Sequence, residues 1–421
     1  MSTFTRSAAR RIGSGGFAPR NDANGGIGFS ISQFELSNVR HVFVSAVPRR
    51  GEGLEEQTRD ALQTIAEVFK DEGLHGAIVH QAVFVKDIDK VETCRGIIKD
   101  FYGDQLPATS YIPQPPCEGK ELAIEALGVG CRRGEVRIHR HCEQLVVTEH
   151  SGTSWIHAAN LFPDPLPDGV YPRSLITFEK MSQVLAKCNV RYDEVIRTWL
   201  YLGDIVGPEG DTQRYKELNR ARTDFYRNFS FGIGRTPPGH CSEVFPASTG
   251  IGTSGKGVMM SCIAVQTSRP DLLLIPLENP QQVSAFDYGA HYSPKSPKFA
   301  RAMAVASGDC ATIFISGTAS ITESETRHVD DVAGQTQLTL DNIAALISAD
   351  NFGRHGVAGL GATLDDLALV RVYIKRQEDF ETVRAVCRQR FGERPTIYAV
   401  ADVCRPELLV EIEGIAFTGR K

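Results

Sequence analysis

A chain of 421 residues is longer than one ordinary core and has room for two to four domains. With 42% hydrophobic and 23% charged residues its composition excludes wholesale disorder, and a net charge of -5 without long blocks of one sign argues against a nucleic-acid or anionic-lipid footprint. The chain holds no apolar run of membrane-spanning length and no secretory signal core, so the expectation is a cytoplasmic protein with a small-molecule partner and no membrane or nucleic-acid partner.

Residues 1–27 are rich in Gly, Ser, Arg and Asn and lack apolar periodicity, which predicts a flexible tail whose arginines weakly resemble those of a targeting peptide. From about residue 30 one order of elements occurs three times. Each copy starts with a β-branched and aromatic strand: Val39 to Val47, Thr153 to Phe162 and Ala311 to Ser320. An amphipathic helix follows, at Glu55 to Gly73, Leu175 to Asn189 and Ala333 to Asn351, with Ala61, Ile65 and Val68 or Leu338, Ile343 and Leu346 at helical spacing. Then come a strand (Ile78 to Asp89, Glu194 to Ile205, Leu367 to Asp379), a second helix ending on an aromatic residue, a Pro-containing loop and a last strand. Extra hairpin strands are expected at the start of each unit.

The fold class is therefore α+β: three tandem domains of mixed sheet with helices on one face. The expected boundaries are 28–133, 134–270 and 271–421, with joins near 131–139 and 268–284.

Ten cysteines spread from Cys94 to Cys404 without a C-x-x-C pair read as reduced core thiols, not as a zinc site or disulfide framework. On a strand, His139 and His141 share one face and Cys142 takes the other, so at most two ligands converge there and no metal is expected.

This order of elements, with Ile315 to Gly317, Val370 to Lys375 and Val410 to Ala416, resembles the RidA/YjgF family. That family forms trimers with ligand clefts between subunits, so the resemblance implies an intrachain pseudo-trimer, either monomeric or assembled into a higher homo-oligomer. Family deaminases carry a carboxylate-binding arginine before the last strand and a glutamate on it. Aligned back from the last strand, the arginine position reads Ala108, Ser248 and Thr396, and the glutamate position Ala123, Met259 and Glu411. The third domain alone keeps the acid, and none keeps the arginine.

Arg235 to Gly252, Tyr292 to Ala302, Ser316 to Ser320 and Ala401 to Glu413 are similar to the chorismatases, which split pyruvate from chorismate without a cofactor. That resemblance maps the catalytic acid onto Glu411. Gly317 and Cys404 match the branch that makes 3-hydroxybenzoate, whereas the hydrolytic branch has other residues there.

Cleavage of the enol ether begins with protonation of its terminal methylene, which calls for an acid of raised pKa. Burial, or Glu413 on the same strand face, would hold Glu411 protonated. Cys404 would guide a ring intermediate if the Arg405-Pro406 turn folds it over the cleft. Two substrate carboxylates need cationic anchors, for which Arg371, Arg405, Arg235, Lys298 and Arg301 are candidates. Gly317 would open space for the ligand, and Tyr398 would lie over its ring. The other functional readings are a RidA-like imine or enamine deaminase, disfavoured by Thr396, and a non-catalytic regulator that binds a small ligand.

Overall fold

The computed structural model describes residues 29–36, 39–71, 75–131, 136–287 and 295–419. The tail expected at 1–27, with its targeting-peptide resemblance, lies outside the described residues.

The first unit runs β1 (Phe29–Leu36), β2 (Val39–Ala46), α1 (Leu54–Asp71), β3 (His75–Val85), α2 (Val91–Tyr102), β4 (Ala108–Ile112) and β5 (Leu122–Cys131). Its sheet order is β1-β2-β5-β3-β4. The second unit runs β6 (Arg137–Cys142), β7 (Leu145–His150), β8 (Thr153–Leu161), α3 (Val170–Ala186), β9 (Val195–Gly203), a short β10 (Pro208–Glu209) and β11 (Thr212–Gln213) ladder, α4 (Arg214–Tyr226), β12 (Ala247–Thr253) and β13 (Val258–Thr267). The sheet order is β12-β9-β13-β8-β7-β6. The third runs β14 (Leu272–Leu277), β15 (Ala302–Ser307), β16 (Cys310–Ala319), a short β17 (Ile321–Thr322) and β18 (Glu325–Thr326) ladder, α5 (Val332–Ile347), α6 (Ala349–Arg354), β19 (Leu367–Ile374), α7 (Phe380–Phe391), β20 (Thr396–Val400) and β21 (Val410–Gly419). Its order, β14-β15-β16-β21-β19-β20, repeats that of the second.

In each sheet the strand after the second helix pairs in parallel with the strand after the first, and the remaining pairs are antiparallel. Each sheet is thus mixed, as the repeat implies. The alternation of side chains along β19 explains its packing. Val370, Val372 and Ile374 meet Leu340, Ile343 and Phe391 of the helices, while Tyr373 joins a core shared by all three sheets. That shared core also takes Phe43 and Phe84 from the first sheet and Trp199 and Tyr201 from the second. Three sheets therefore turn their helix-free faces toward one axis, the geometry of an intrachain pseudo-trimer.

The ladders fix which positions correspond. Ala123 lies opposite Phe84, Met259 opposite Tyr201 and Glu411 opposite Tyr373. By the same registers Thr396 and Ser248 correspond to Thr109, not to the expected Ala108, so the first-domain alignment of that position moves by one residue.

Several boundaries differ from the periodicity for local reasons. Helix α3 begins five residues before the expected Leu175 because the Glu209 carboxylate, distant in sequence, accepts the Val170 N–H at 2.8 Å. The helix expected through Asn351 breaks at Ser348, whose hydroxyl accepts the Asn351 N–H at 3.2 Å and starts α6. Strand β14 lies within the stretch read as the second join. His139 and His141 are exposed on the edge strand β6. The thiols of Cys94, Cys117, Cys262 and Cys387 are buried, but Cys241 is exposed, which corrects its reading as core filler. Among the described residues no helix is long and apolar enough to cross a membrane.

Candidate functional site

A cavity of about 270 Å³ opens between the second and third units. Its walls come from α4 and β12 on one side and from β16, β21, the 297–301 segment and the 404–408 loop on the other. Cys404, Arg405, Arg301, Gly317 and Glu411 all line it, so five of the residues singled out in the sequence meet here.

Glu411 sits on the inward face of β21 and is only 4% exposed. Burial pushes its carboxyl up to about 8, and the charge of Glu413 two residues on adds to this, while Arg197 and Arg301 pull the other way. The group therefore carries its proton at neutral pH. Gly317 makes room for it: a Cβ at that position would lie 2.1 Å from Glu411 Oε1. The glycine thus clears space first for the acid itself, where the sequence pointed to a ligand. Its N–H donates to Thr249 Oγ1 at 2.9 Å and fixes the strand against β12.

Cys404 is half-buried beside Glu411. Burial, then the Glu411 charge, pushes its thiol up to about 12, so it is a neutral thiol rather than a thiolate nucleophile. Leu408 donates its N–H to the Arg405 carbonyl at 3.2 Å, and this turn brings Cys404 over the cavity as the Arg405-Pro406 pair implied.

Four candidate residues lie elsewhere. Arg371 is buried on the axis, where it pairs with Glu125 and reaches Glu413 and the Tyr201 hydroxyl, both at 3.0 Å. Period-two alternation correctly turns it inward, but toward the axis and not the cleft. Tyr398 faces the helices instead, edge-on to Phe380 at 5.4 Å, because Ile397 and Ala399 take the inward positions of β20. Arg235 braces a loop by donating to the carbonyls of Thr267 and Arg269. Lys298 Nζ lies 3.7 Å from Glu243 and over the Phe245 ring, although its neighbours Pro297 and Phe299 line the cavity.

Helix α4 supplies what the sequence reading missed. Arg222, 1% exposed, donates from Nη1 to Ser248 Oγ at 3.3 Å and from Nη2 to Asn219 Oδ1, and its buried Nε–H has no acceptor among the described residues. Tyr215 and Lys216 line the same wall. A signal was present: four residues before the aromatic that closes each second helix stand Ile98, Arg222 and Cys387, so the second copy alone replaces a core residue with a charge. Lys216, Arg222, Arg301 and Arg405 set four cations around the cavity against the acids Glu407 and Glu411. With Glu411 protonated, the balance favours a small dianion.

Behind this wall, on the axis, Glu413 has the opposite surroundings. It accepts from Arg197 Nη2 and Thr249 Oγ1 on one oxygen, and from Trp199 Nε1 at 2.9 Å, Tyr373 Oη at 3.0 Å and Arg371 on the other. Burial alone would raise its pKa, but Arg197, Arg371, Thr249 and Trp199 outweigh this and hold it below the usual carboxylate range.

The Endoribonuclease L-PSP family model matches residues 296–418. The chain is 35% identical over 230 residues to a 3-hydroxybenzoate synthase of Streptomyces hygroscopicus, covering 53% of this chain and 64% of that protein. It is also 35% identical over 229 residues to a chorismatase of Streptomyces rapamycinicus, with the same shares. The match thus spans somewhat less than two thirds of the length of these relatives. A RutC family protein of Pyrococcus abyssi is 30% identical over 109 residues, 25% of this chain and 77% of that one. Among solved structures, a chorismatase superposes with a TM-score of 0.60 at 24% identity, over 81% of this chain and 93% of the other. That overlap shows a shared fold.

Proposed function

Because the chain belongs to the RutC family, within the RidA/YjgF superfamily, we propose that the cavity is the active site of a chorismate-cleaving enzyme in which Glu411 is the general acid. The observation that carries this reading is a buried carboxyl raised to about 8, facing a small cavity ringed by four cations. The similarity to proteins named chorismatase and 3-hydroxybenzoate synthase supports it.

Chorismate is a dianion with an enol ether between its ring and a pyruvyl side chain. Arg222, Arg301, Arg405 and Lys216 receive the two carboxylates. Glu411 donates its proton to the terminal methylene, giving an oxocarbenium ion and leaving a carboxylate whose negative charge lies beside it. The adjacent ring hydroxyl then displaces the side chain: the ring–ether bond breaks, pyruvate leaves, an arene oxide closes, and the hydroxyl proton passes to the Glu411 carboxylate and restores the acid. Cleavage of the C–O bond at the former hydroxyl carbon, with loss of a ring proton and protonation of the oxygen, gives 3-hydroxybenzoate. Capture of the cation by water instead would give the hydrolysis product. The neutral Cys404 thiol beside Glu411 favours the first course by its bulk and low polarity against the ring. No group beyond these side chains is called on, so the reaction is written without a cofactor.

The test is incubation of the purified protein with chorismate, following pyruvate and aromatic products by chromatography. Stoichiometric pyruvate and 3-hydroxybenzoate are expected. Absence of turnover would remove this reading, and chorismate binding without turnover would leave a ligand-binding regulator in its place.

A further inference from the structure

Among the described residues the first unit contributes no wall to the cavity, yet one of its side chains enters a charged cluster behind it. Glu125, on β5, is 2% exposed and meets Arg371 of the third unit on the axis, with both of its oxygens 2.9 Å from Nε and a further bond from Nη2. Arg371 bridges onward to Glu413, and Glu413 to Arg197 of the second unit. Two guanidiniums and two carboxylates, drawn from all three units, thus form one buried cluster around a cavity of about 20 Å³. Both arginines stay charged, so the cluster is neutral only while Glu125 and Glu413 are ionised; burial raises the Glu125 carboxyl, and the Arg371 charge and hydrogen bonds on its two oxygens oppose that rise. His80, which lines the same small cavity, adds no charge, since burial, His157 and Arg371 all push its pKa far down. Two neutral phenols complete the surroundings: the Tyr201 hydroxyl accepts from Arg371, and the Tyr373 hydroxyl donates to Glu413.

We propose that Glu125 is a positioning residue for Glu411: it cancels the Arg371 charge, keeps the axis neutral, and so lets the carboxyl two positions from Glu413 retain its proton. The proposal rests on the reading of Glu411 as a general acid. The charged and titratable groups that face Glu411 from other elements are Arg197 on β9, Arg301 before β15, Tyr215, Lys216 and Arg222 on α4, and Cys404, Arg405 and Glu407 in the loop before β21. Replacing Glu125 acts on the axial charge through Arg371, which it contacts directly. Uncompensated, Arg371 would join Arg197 in favouring the Glu411 carboxylate through a medium of low dielectric.

The experiment is an infrared titration of the Glu411 carboxyl in substrate-free full-length protein, identified by its loss in Glu411→Gln, together with the alkaline limb of kcat/KM on chorismate. Glu125→Gln is expected to lower the midpoint by about one pH unit, the size of a unit charge acting across about 12 Å at an effective dielectric near 20. Glu125→Asp, which keeps the charge, should leave it in place. Glu125→Gln combined with Arg371→Gln removes one charge of each sign and should restore the wild-type midpoint. A Glu125→Gln midpoint within about 0.2 unit of wild type would overturn the proposal. So would an Asp variant displaced as far as the Gln variant, because geometry and not charge would then be at work. Should the single Gln variant fail to fold, the charge-balanced double variant decides alone, and a midpoint lowered by about one unit in it would overturn the idea. The infrared arm needs no substrate, so a protein inactive on chorismate would sink the proposed function and still leave this inference to be decided.

Discussion

Two carboxylates stand two residues apart on the same face of β21, equally buried, and differ in the donors and charges aimed at them. Glu413 is held by two guanidiniums, an indole N–H and two hydroxyls, and is fixed as an anion. Glu411 faces the cavity, where burial and its neighbour's charge keep its proton on. Burial alone does not decide the role of an acid, since the two are equally buried; the count of donors aimed at each does. The ionised partner also acts on the other, so the strand holds both the acid and part of what tunes it.

The largest effect that would sharpen this contrast is expected at Glu411. Glu411→Gln should lower pyruvate release by about 10³-fold, as loss of a general acid does, in a steady-state assay on chorismate. The same variant should be more stable than wild type at neutral pH. A carboxyl whose folded pKa is raised from 4.5 to about 8 releases a proton on unfolding between those values, so it costs stability progressively as pH rises through that window. The gain in melting temperature on replacing it should therefore be absent near pH 4 and grow toward pH 8. Wild-type activity should fall as pH rises above about 8, where the acid is lost.

Gly317→Ala acts first on the cleft side, although its Cβ would also lie 3.1 Å from Thr249 Cγ2. Its Cβ would displace the Glu411 carboxyl, and a misplacement of that order should lower kcat by about 10²-fold, with a native circular dichroism spectrum retained. An unchanged kcat would mean that the carboxyl has freedom the packing denies it.

The axis side is open to a different probe. His41, His150 and His157 are buried, His41 with its ring centroid 5.5 Å from that of His150, and burial first and neighbouring imidazole charge second push His41 to about 3 and His157 to about 4. A depressed folded pKa means that unfolding takes up protons below 6.5, so the stability these groups allow is full above that value and is lost as pH falls. The third unit has Phe314 and the first Phe43 at the ladder position of His157. His157→Phe should accordingly move the acid-unfolding midpoint down by about half a pH unit, measured by tryptophan fluorescence. The smallest rate effect is expected at Cys404. Cys404→Ala should leave pyruvate release within about twofold of wild type and change the ratio of hydroxybenzoate to hydrolysis product. Unchanged products would reject its assigned part.

The threefold repeat, the order of elements within it and the surviving acid at Glu411 were all legible in the sequence, because strand and helix periods are local. The placing of Arg371 was not. Alternation turns its side chain off the helices, but whether an inward side chain meets the cleft or the axis depends on how three sheets converge, and no single unit encodes that. Arg222 was hidden for a different reason: a polar helix read alone shows a solvated arginine, and only comparison with Ile98 and Cys387 reveals a charge at a core position. The early start of α3 was equally unreadable, since its cap comes from Glu209 in a later loop.

Joining three units in one polypeptide changes what the axis can hold. At one ladder position the three sheets present Ala82, Trp199 and Arg371, facing Glu125, Ser261 and Glu413 in turn. A ring of identical subunits would have to repeat any choice three times and crowd the centre with three guanidiniums or three indoles. Here each site mutates independently, so broken symmetry admits a single arginine where there is space for one, and a single buried acid, Glu411, where the sister units carry Ala123 and Met259.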